Sequence, residues 1–208
     1  MAKVSSVNIR PGVNVLSVLP HLNYKSWFAL AEFVDNSIQS SVAKRSRLEA
    51  VDGVDYKLRV DIEFDAPNNT IVVRDNAAGI SSEDYHRAFR PAEIPPDASG
   101  LSEFGMGMKS AACWFSPNWS VRSSALGESE ERTVIFNIDE IVNDSIEELN
   151  VLSMKVSEDK HYTVVRLENI RRFPREKKQF RRLKSIFLVF IESIFERVFW
   201  FSMLMVKS

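Results

Sequence analysis

The stretch SWFALAEFVDNSIQS, residues 26–40, combines an apolar helical period with a row of polar side chains on one side. At about 100° per residue, one arc of a helix carries the polar residues Glu32, Asp35, Asn36 and Gln39. The opposite arc carries Trp27, Leu30, Val34 and Ile38, while Phe28 falls among the polar residues. Such a helix can bury one stripe in a core and hold carboxylates and an amide towards a cavity. The same pattern also fits a half-solvated surface helix.

A second polar motif follows a predicted β-hairpin. Residues 58–74 predict two strands joined by an Ala-Pro-Asn-Asn turn, and the second strand leads directly into Asp75. Asp75 begins the loop DNAAGI, in which Gly79 allows the chain to turn past a ligand. Taken alone, this loop is equally a plain strand-to-helix turn capped by Ser81 or Ser82.

The third motif is the glycine-rich segment GLSEFGMGMKS, residues 100–110. Its glycines are Gly100, Gly105 and Gly107. They precede an apolar run, residues 109–115, that predicts a helix. Glycines before a helix leave backbone N–H groups free to hold phosphates, and Lys109 is unfavourable at that end unless an anion binds there. The spacing is not that of a P-loop, because Met106 stands where the lysine would be.

The three motifs in this order resemble the nucleotide site of the GHKL superfamily, which includes gyrase B, heat-shock chaperones, histidine kinases and MutL. The resemblance covers about residues 12–173, and residues 104–110 (FGMGMKS) are most similar to MORC and MORC-like bacterial ATPases. It implies an α+β fold, a two-layer α/β sandwich with a mixed, mostly antiparallel sheet and helices on one face. Further strands are predicted over residues 119–125, 132–137 and 162–168, while residues 146–156 are ambiguous.

The resemblance also implies a site for ATP and Mg²⁺. Glu32 would orient and deprotonate the attacking water, Asn36 would ligate Mg²⁺, and Asp75 would accept a hydrogen bond from the adenine amino group. The other implied nucleotide-binding residues are Asp35, Gly79, Gly100, Gly105, Gly107, Lys109, Ser110 and Thr163, the last through a hydrogen bond to the adenine-binding acid. Ala77 stands where the family pattern has its first glycine, so its methyl group is expected to occupy volume beside the base.

Composition limits the remaining classes of function. The chain has 208 residues, of which 45% are hydrophobic and 26% are charged, as in an ordinary globular domain. The net charge of -1 does not support nucleic-acid binding. One cysteine, Cys113, excludes an internal disulfide and a multi-cysteine metal site. The start of the chain lacks the pattern of a signal peptide, which predicts a cytoplasmic protein.

We predict an ATP-binding domain over residues 1–173 and a basic, then apolar, helical tail over residues 174–208, which could begin a following segment. Three charged residues, Glu192, Glu196 and Arg197, interrupt the apolar run and argue against a membrane-spanning helix. The tail is expected to pack on the ATPase domain, a protein partner or the membrane surface. The family also implies a nucleotide-dependent homodimer.

Two other functions fit the same motifs. A GHKL-type protein kinase shares the fold, but such kinases usually lack a water-activating acid at the position of Glu32, and we expect no dimerisation helix with a phosphorylatable histidine before residue 26. A non-catalytic, nucleotide-gated interaction module is the other alternative, and Ala77 is the residue that favours it. Hydrolysis of ATP by a head of this superfamily is the main prediction.

Overall fold

The central helix of the structure is α2, which covers Ser26–Ala43 and contains the first polar motif. The structure is a computed structural model that describes residues 12–90, 107–173, 176–194 and 199–206. Two short elements precede α2, namely α1 (Val15–Val18) and a 3₁₀ turn (Leu19–His21). The buried residues of α2 are Ala29, Leu30, Ala31, Phe33, Val34, Ser37, Ile38 and Ser41. Phe28 is 42% exposed, so this aromatic residue on the polar side lies outside the core.

The predicted hairpin consists of β1 (Leu58–Asp65) and β2 (Thr70–Asp75), which pair antiparallel. Alternate residues of β1 are buried, namely Leu58, Val60, Ile62 and Phe64. This alternation is that of a strand with one face on a core. The helix α3 (Arg45–Asp52) connects α2 to this hairpin. The register places Val60 opposite Asp75, so the hairpin carries the acid to the end of a core strand.

Further helices and strands follow the hairpin, and the three further predicted strands lie within two residues of their predicted bounds. α4 covers Ser82–Phe89, and its N-cap Ser81 accepts a hydrogen bond from the backbone N–H of Asp84. α5 covers Gly107–Phe115, so the run that begins at Lys109 is helical. The elements that follow are β3 (Asn118–Ser124), β4 (Glu130–Asn137), α6 (Ile138–Asn143), β5 (Val151–Lys155) and β6 (Tyr162–Glu168). The ambiguous segment therefore contains a strand.

Within the described ranges, seven strands form one sheet in the order β5-β4-β3-β6-β2-β1-β7, in which β7 covers Phe199–Val206. Each of these strand pairs is antiparallel except β1 with β7, which is parallel. The predicted α+β fold with a mixed, mostly antiparallel sheet is confirmed. α2 packs against α5, and both helices contact the sheet. Residues buried between the two layers include Leu30, Ile62, Ile71, Phe115 and Val121.

The C-terminal segment differs from the predicted helical tail. α7 covers Lys177–Ile194, and β7 then pairs with β1 along the whole of both strands. No helix in the described ranges, α7 included, is long and apolar enough to cross a membrane. Leu183 and Met203 are buried, so both parts of the segment join the core. The prediction of a helix was wrong over residues 199–206, where aromatic and apolar residues favour a strand that covers the open edge of β1.

Candidate functional site

A cavity of about 570 Å³ opens between α2, the loop after β2, α4 and the loop after β3. All three sequence motifs contribute to its lining. The predicted site residues in the lining are Asn36, Asp75, Gly79, Gly107, Lys109 and Thr163. Apolar side chains form much of the wall, including Phe33, Val73, Ile80, Met108 and Val165. An apolar wall with a few convergent polar groups is typical of a small-molecule site.

Asp75 is the deeply placed acid of this cavity. Its Oδ1 accepts hydrogen bonds from the backbone N–H groups of Ala77 at 2.9 Å and Thr163 at 3.2 Å. Its Oδ2 accepts from the Ser37 hydroxyl at 2.8 Å. Burial raises the pKa of the Asp75 carboxyl to about 6, while these three hydrogen bonds oppose the rise because they stabilise the carboxylate. The carboxylate is therefore a fixed acceptor at the cavity surface.

The loop after Asp75 brings two stretches of backbone into close contact at Gly79. Gly79 has φ +73, and a Cβ there would lie 2.0 Å from the carbonyl oxygen of Ser124, so this position requires glycine. Ala77 is 1% exposed, belongs to the hydrophobic core and is not among the described residues with a positive φ. The lining of the cavity contains Ala78 instead. The methyl group of Ala77 thus packs in the core, contrary to the expected crowding beside a base.

Gly79→Ala should destabilise the fold because it combines a left-handed backbone with a backbone clash. We expect the free energy of unfolding, measured by chemical denaturation, to fall by roughly 3 kcal/mol or more. Gly53→Ala is the matched control, because Gly53 has φ +97 and no atom within 4 Å of an added Cβ. The control should lose about 1–3 kcal/mol, the cost of a residue other than glycine at φ 97 and ψ 165, without the added clash. Equal losses in the two variants would contradict the close approach at Gly79.

Three polar residues of the first motif lie within about one turn of α2. Asn36 Nδ2 donates to the backbone carbonyl of Glu32 at 2.6 Å, which leaves Oδ1 as the amide's acceptor atom in the cavity lining. Burial raises the pKa of Glu32, and the neighbouring charge of Asp35 adds to the rise. Burial also raises the pKa of Asp35 to about 6. Glu32 and Asp35 are half-buried and, among the described residues, are not part of the lining itself.

The beginning of α5 lies directly against Glu32. A Cβ on Gly107 would lie 2.1 Å from Glu32 Oε2, so the missing side chain lets the helix begin beside the carboxylate. Lys109 is 3% exposed, and its Nζ donates to the carbonyl oxygens of Ala88 at 2.9 Å and Arg87 at 3.4 Å. Lys109 therefore binds the C-terminal end of α4, where a cation is favourable, and also lines the cavity.

Ser110 and Thr163 contribute in different ways. Ser110 is buried and lies outside the described cavity lining. Thr163 lines the cavity and reaches Asp75 through its backbone N–H. Its Oγ1 lies 3.2 Å from the hydroxyl oxygen of Ser123 on the neighbouring strand. The hydroxyl of Thr163 is thus occupied by the sheet, while its N–H holds the acid.

Sequence reasoning missed three residues that hold the site together, namely Ser37, Ser123 and His161. Ser37 had a detectable signal, because a hydroxyl on the buried side of α2 needs a hydrogen-bond partner, and that partner is Asp75. Ser123 and His161 reach the site only through the pairing of distant strands, so no local pattern indicated them. Two predicted phosphate-binding glycines lie outside the described residues, namely Gly100 and Gly105.

The residues present fit a magnesium ion that a phosphate ligand brings with it. The described residues contain no group of three or more His, Cys, Asp or Glu side chains arranged around a metal ion. Mg²⁺ does not need such a group, because it keeps several waters and takes one or two protein oxygens together with phosphate oxygens. Asn36 offers its Oδ1 from the lining, with the carboxylates of Glu32 and Asp35 close by on the same helix.

A family model described as histidine kinase-, DNA gyrase B- and HSP90-like ATPase matches residues 24–163. The match covers more than half of the chain and spans the polar helix, the Asp75 loop, the start of α5 and Thr163. The chain therefore belongs to this family of ATPases. A search of curated proteins gives no match. The family and the cavity together define the chain as a domain of the ATP-binding class.

Proposed function

We propose that the chain binds ATP with Mg²⁺ in the cavity and hydrolyses it to ADP and phosphate. The observation that carries this proposal is the presence of Asn36, Asp75, Gly107 and Lys109 in the lining of one cavity. Ser37, which binds Asp75, lies five positions after Glu32 on α2, or about 7.5 Å along the helix axis. Asp75, the proposed base-binding acid, contacts α2 at Ser37, and the start of α5, the proposed phosphate-binding element, contacts α2 at Glu32. The two proposed binding groups are therefore separated along α2.

Binding would divide between two parts of the cavity. Asp75 would accept a hydrogen bond from the adenine amino group, with Ala78 and Val165 among the apolar neighbours of the base. At the other part, the N-terminal N–H groups of α5 and the ammonium group of Lys109 would hold phosphate oxygens. Asn36 Oδ1 would ligate Mg²⁺. When bound, the ion neutralises the charge that builds up on the phosphates during their transfer.

Hydrolysis would depend on Glu32. Its carboxylate would take a proton from a water molecule while the water oxygen forms a bond to the γ-phosphorus and the bond from that phosphorus to the bridging oxygen breaks. ADP leaves with the bonding electron pair. The raised pKa of Glu32 supports this role, because a general base works best when its pKa is closer to the operating pH. Gly107 leaves room for the carboxylate beside the phosphate-binding helix start.

The resemblance also supports proposals about the subfamily, the oligomeric state and the turnover of the protein. The segment FGMGMKS favours a MORC-like head, and the family pattern favours homodimerisation coupled to nucleotide binding or lid closure in the cytoplasm. The isolated chain should turn over well below the median enzyme rate of about 10 s⁻¹.

A protein partner would contact the C-terminal segment at exposed apolar residues of α7 and β7, namely Val189 and Leu204.

Titration calorimetry with ATP, ADP and GTP in the presence of Mg²⁺ tests the binding part of the proposal. We expect one site per chain, with ATP and ADP bound more tightly than GTP, because Asp75 accepts from the amino group of adenine whereas guanine presents a carbonyl oxygen at that position. Omitting Mg²⁺ should weaken ATP more than ADP. Equal affinity for ATP and GTP would contradict Asp75 as the base-reading group.

Fold stability and ATP affinity should vary in opposite directions between pH 5 and pH 7.5. The pKa of Asp35 and of Asp75 is raised to about 6, so their contribution to the free energy of unfolding is present at low pH and is lost as the pH rises through about 6. ATP affinity should instead rise over that range, because the Asp75 carboxylate is the better acceptor. Denaturation and calorimetry at matched pH values measure both, and parallel changes would contradict the assignment.

A further inference from the structure

His161 lies directly behind the loop that carries Asp75. It is 9% exposed, and its Nδ1 lies 3.1 Å from the Asn76 carbonyl oxygen and 3.0 Å from the Ala77 carbonyl oxygen. On its other side, Nε2 lies 3.3 Å from Oδ2 of Asp52, the last residue of α3. Carbonyl oxygens only accept hydrogen bonds, so Nδ1 carries a proton and donates it to the loop. The ring thus lies between two consecutive carbonyl groups, which accept from Nδ1, and the Asp52 carboxylate, which pairs with the ring when Nε2 carries a proton as well.

The peptide group between Asn76 and Ala77 connects His161 to the acid. Its carbonyl oxygen accepts from His161, and also from the Tyr56 hydroxyl at 3.1 Å. Its N–H, at the opposite end of the same planar group, donates to Asp75 Oδ1. Fixing the carbonyl end therefore fixes the direction of the N–H. Hydrogen bonds at the two ends of one peptide group also polarise and strengthen each other.

We propose that His161 is a positioning residue that sets the preference of the site for adenine, acting through the Asn76–Ala77 peptide on the Asp75 carboxylate. The inference rests on the proposed function, in which Asp75 reads the adenine amino group. Adenine presents a donor there, while guanine presents an acceptor that a carboxylate repels. A carboxylate that can rotate would discriminate less between them. His161 therefore acts on base selectivity and leaves phosphate binding, at α5, untouched.

A purely structural role for His161 makes a different prediction. Loss of a buried structural histidine would lower stability and weaken every nucleotide by the same factor. Loss of a positioning residue would weaken ATP, which depends on Asp75, and leave the weaker GTP binding unchanged. The ratio of the two dissociation constants is therefore the quantity that separates the two roles.

The experiment measures dissociation constants for Mg·ATP and Mg·GTP by calorimetry on the wild-type chain and four variants. In His161→Ala we expect ATP affinity to fall about tenfold, the scale of a lost buried hydrogen bond, with GTP affinity unchanged. His161→Asn keeps an N–H donor near the position of Nδ1, so its ATP affinity should stay within about threefold of wild type. Asp52→Ala removes the ring's second anchor and should lower the selectivity partly. Asp55→Ala is the matched control, an exposed carboxylate near Asp52 that should change nothing.

The outcomes distinguish the inference from the proposed function. If the wild-type chain does not prefer ATP to GTP, base reading by Asp75 fails and the inference fails with it. If the wild type prefers ATP but His161→Ala weakens both nucleotides equally, or neither, only the inference fails. Should His161→Ala not fold, Asp52→Ala decides, because an unchanged ratio in a folded Asp52→Ala variant overturns the role of the ring. A selective loss of ATP that His161→Asn restores supports the inference.

Discussion

Asp75→Asn should weaken ATP binding by roughly 10- to 100-fold or more while the fold stays intact. The substitution is nearly isosteric, and the amide oxygen can keep the hydrogen bonds from the N–H groups of Ala77 and Thr163. The amide nitrogen can donate to the Ser37 hydroxyl, which is able to accept. What is lost is the second acceptor and its charge, so the adenine amino group would meet a donor instead of a carboxylate oxygen.

Stability provides the control for Asp75→Asn. Burial raises the pKa of the Asp75 carboxyl to about 6, so the ionised form is costly in the fold above that pH. A neutral amide avoids this cost, and the melting temperature of the variant at pH 7.5 should equal or exceed that of the wild type. GTP affinity should not fall and is expected to rise, because the amide donor would meet the guanine carbonyl oxygen that the carboxylate repels. A folded variant with wild-type affinity for ATP would remove Asp75 from the nucleotide site.

Glu32→Gln should separate binding from chemistry. The amide keeps the size of the side chain beside Gly107 but cannot take a proton from water. We expect turnover to fall by roughly 10²-fold or more, the usual scale of a lost general base, while the dissociation constant for Mg·ATP changes only a few fold. Single-turnover assays and calorimetry on the same preparation measure the two effects. Turnover that survives in this variant would mean that Glu32 is only part of a polar helix face.

Gly107→Ala tests whether turnover depends on the place of the Glu32 carboxylate beside the start of α5. An added Cβ would lie 2.1 Å from Glu32 Oε2, at the flexible end of a side chain, so the carboxylate should move while α5 remains helical. Turnover should fall as in Glu32→Gln, although less. Gly12→Ala is the matched control, because an added Cβ there has no atom within 4 Å. Wild-type turnover in a folded Gly107→Ala variant would contradict the placement of Glu32.

Local sequence patterns predicted the elements that bear the motifs. α2 was predictable because its apolar and polar arcs repeat at the helical period over fifteen residues, and Phe28, the residue that did not fit, is exposed. The β1 and β2 hairpin was predictable because alternation and a turn signal lie within one short stretch. α4 was predictable from the helix cap at Ser81 and the acidic residues Glu83 and Asp84 in its first turn. In each case the deciding interactions are close in sequence.

Features that depend on distant parts of the chain were not predictable in the same way. The apolar run that ends at residue 206 has the composition of a buried helix or a buried strand, and only its pairing with β1 decides for a strand. The family pattern led us to expect the methyl group of Ala77 beside the base. The direction of that group depends on the backbone of the loop, which the sequence does not show, and the methyl group packs in the core. His161 reaches the Asp75 loop across 85 positions of the chain, so no spacing rule could connect them.

Release of phosphate from ATP labelled at the γ position tests the central claim most directly. The purified chain would be assayed with and without Mg²⁺, beside Glu32→Gln prepared in parallel. The account predicts slow release that requires Mg²⁺, is proportional to ATP occupancy and is reduced at least about 10²-fold in the variant. Tight ATP binding with no more release from the wild type than from Glu32→Gln would contradict hydrolysis, and would show that the nucleotide acts as a bound switch.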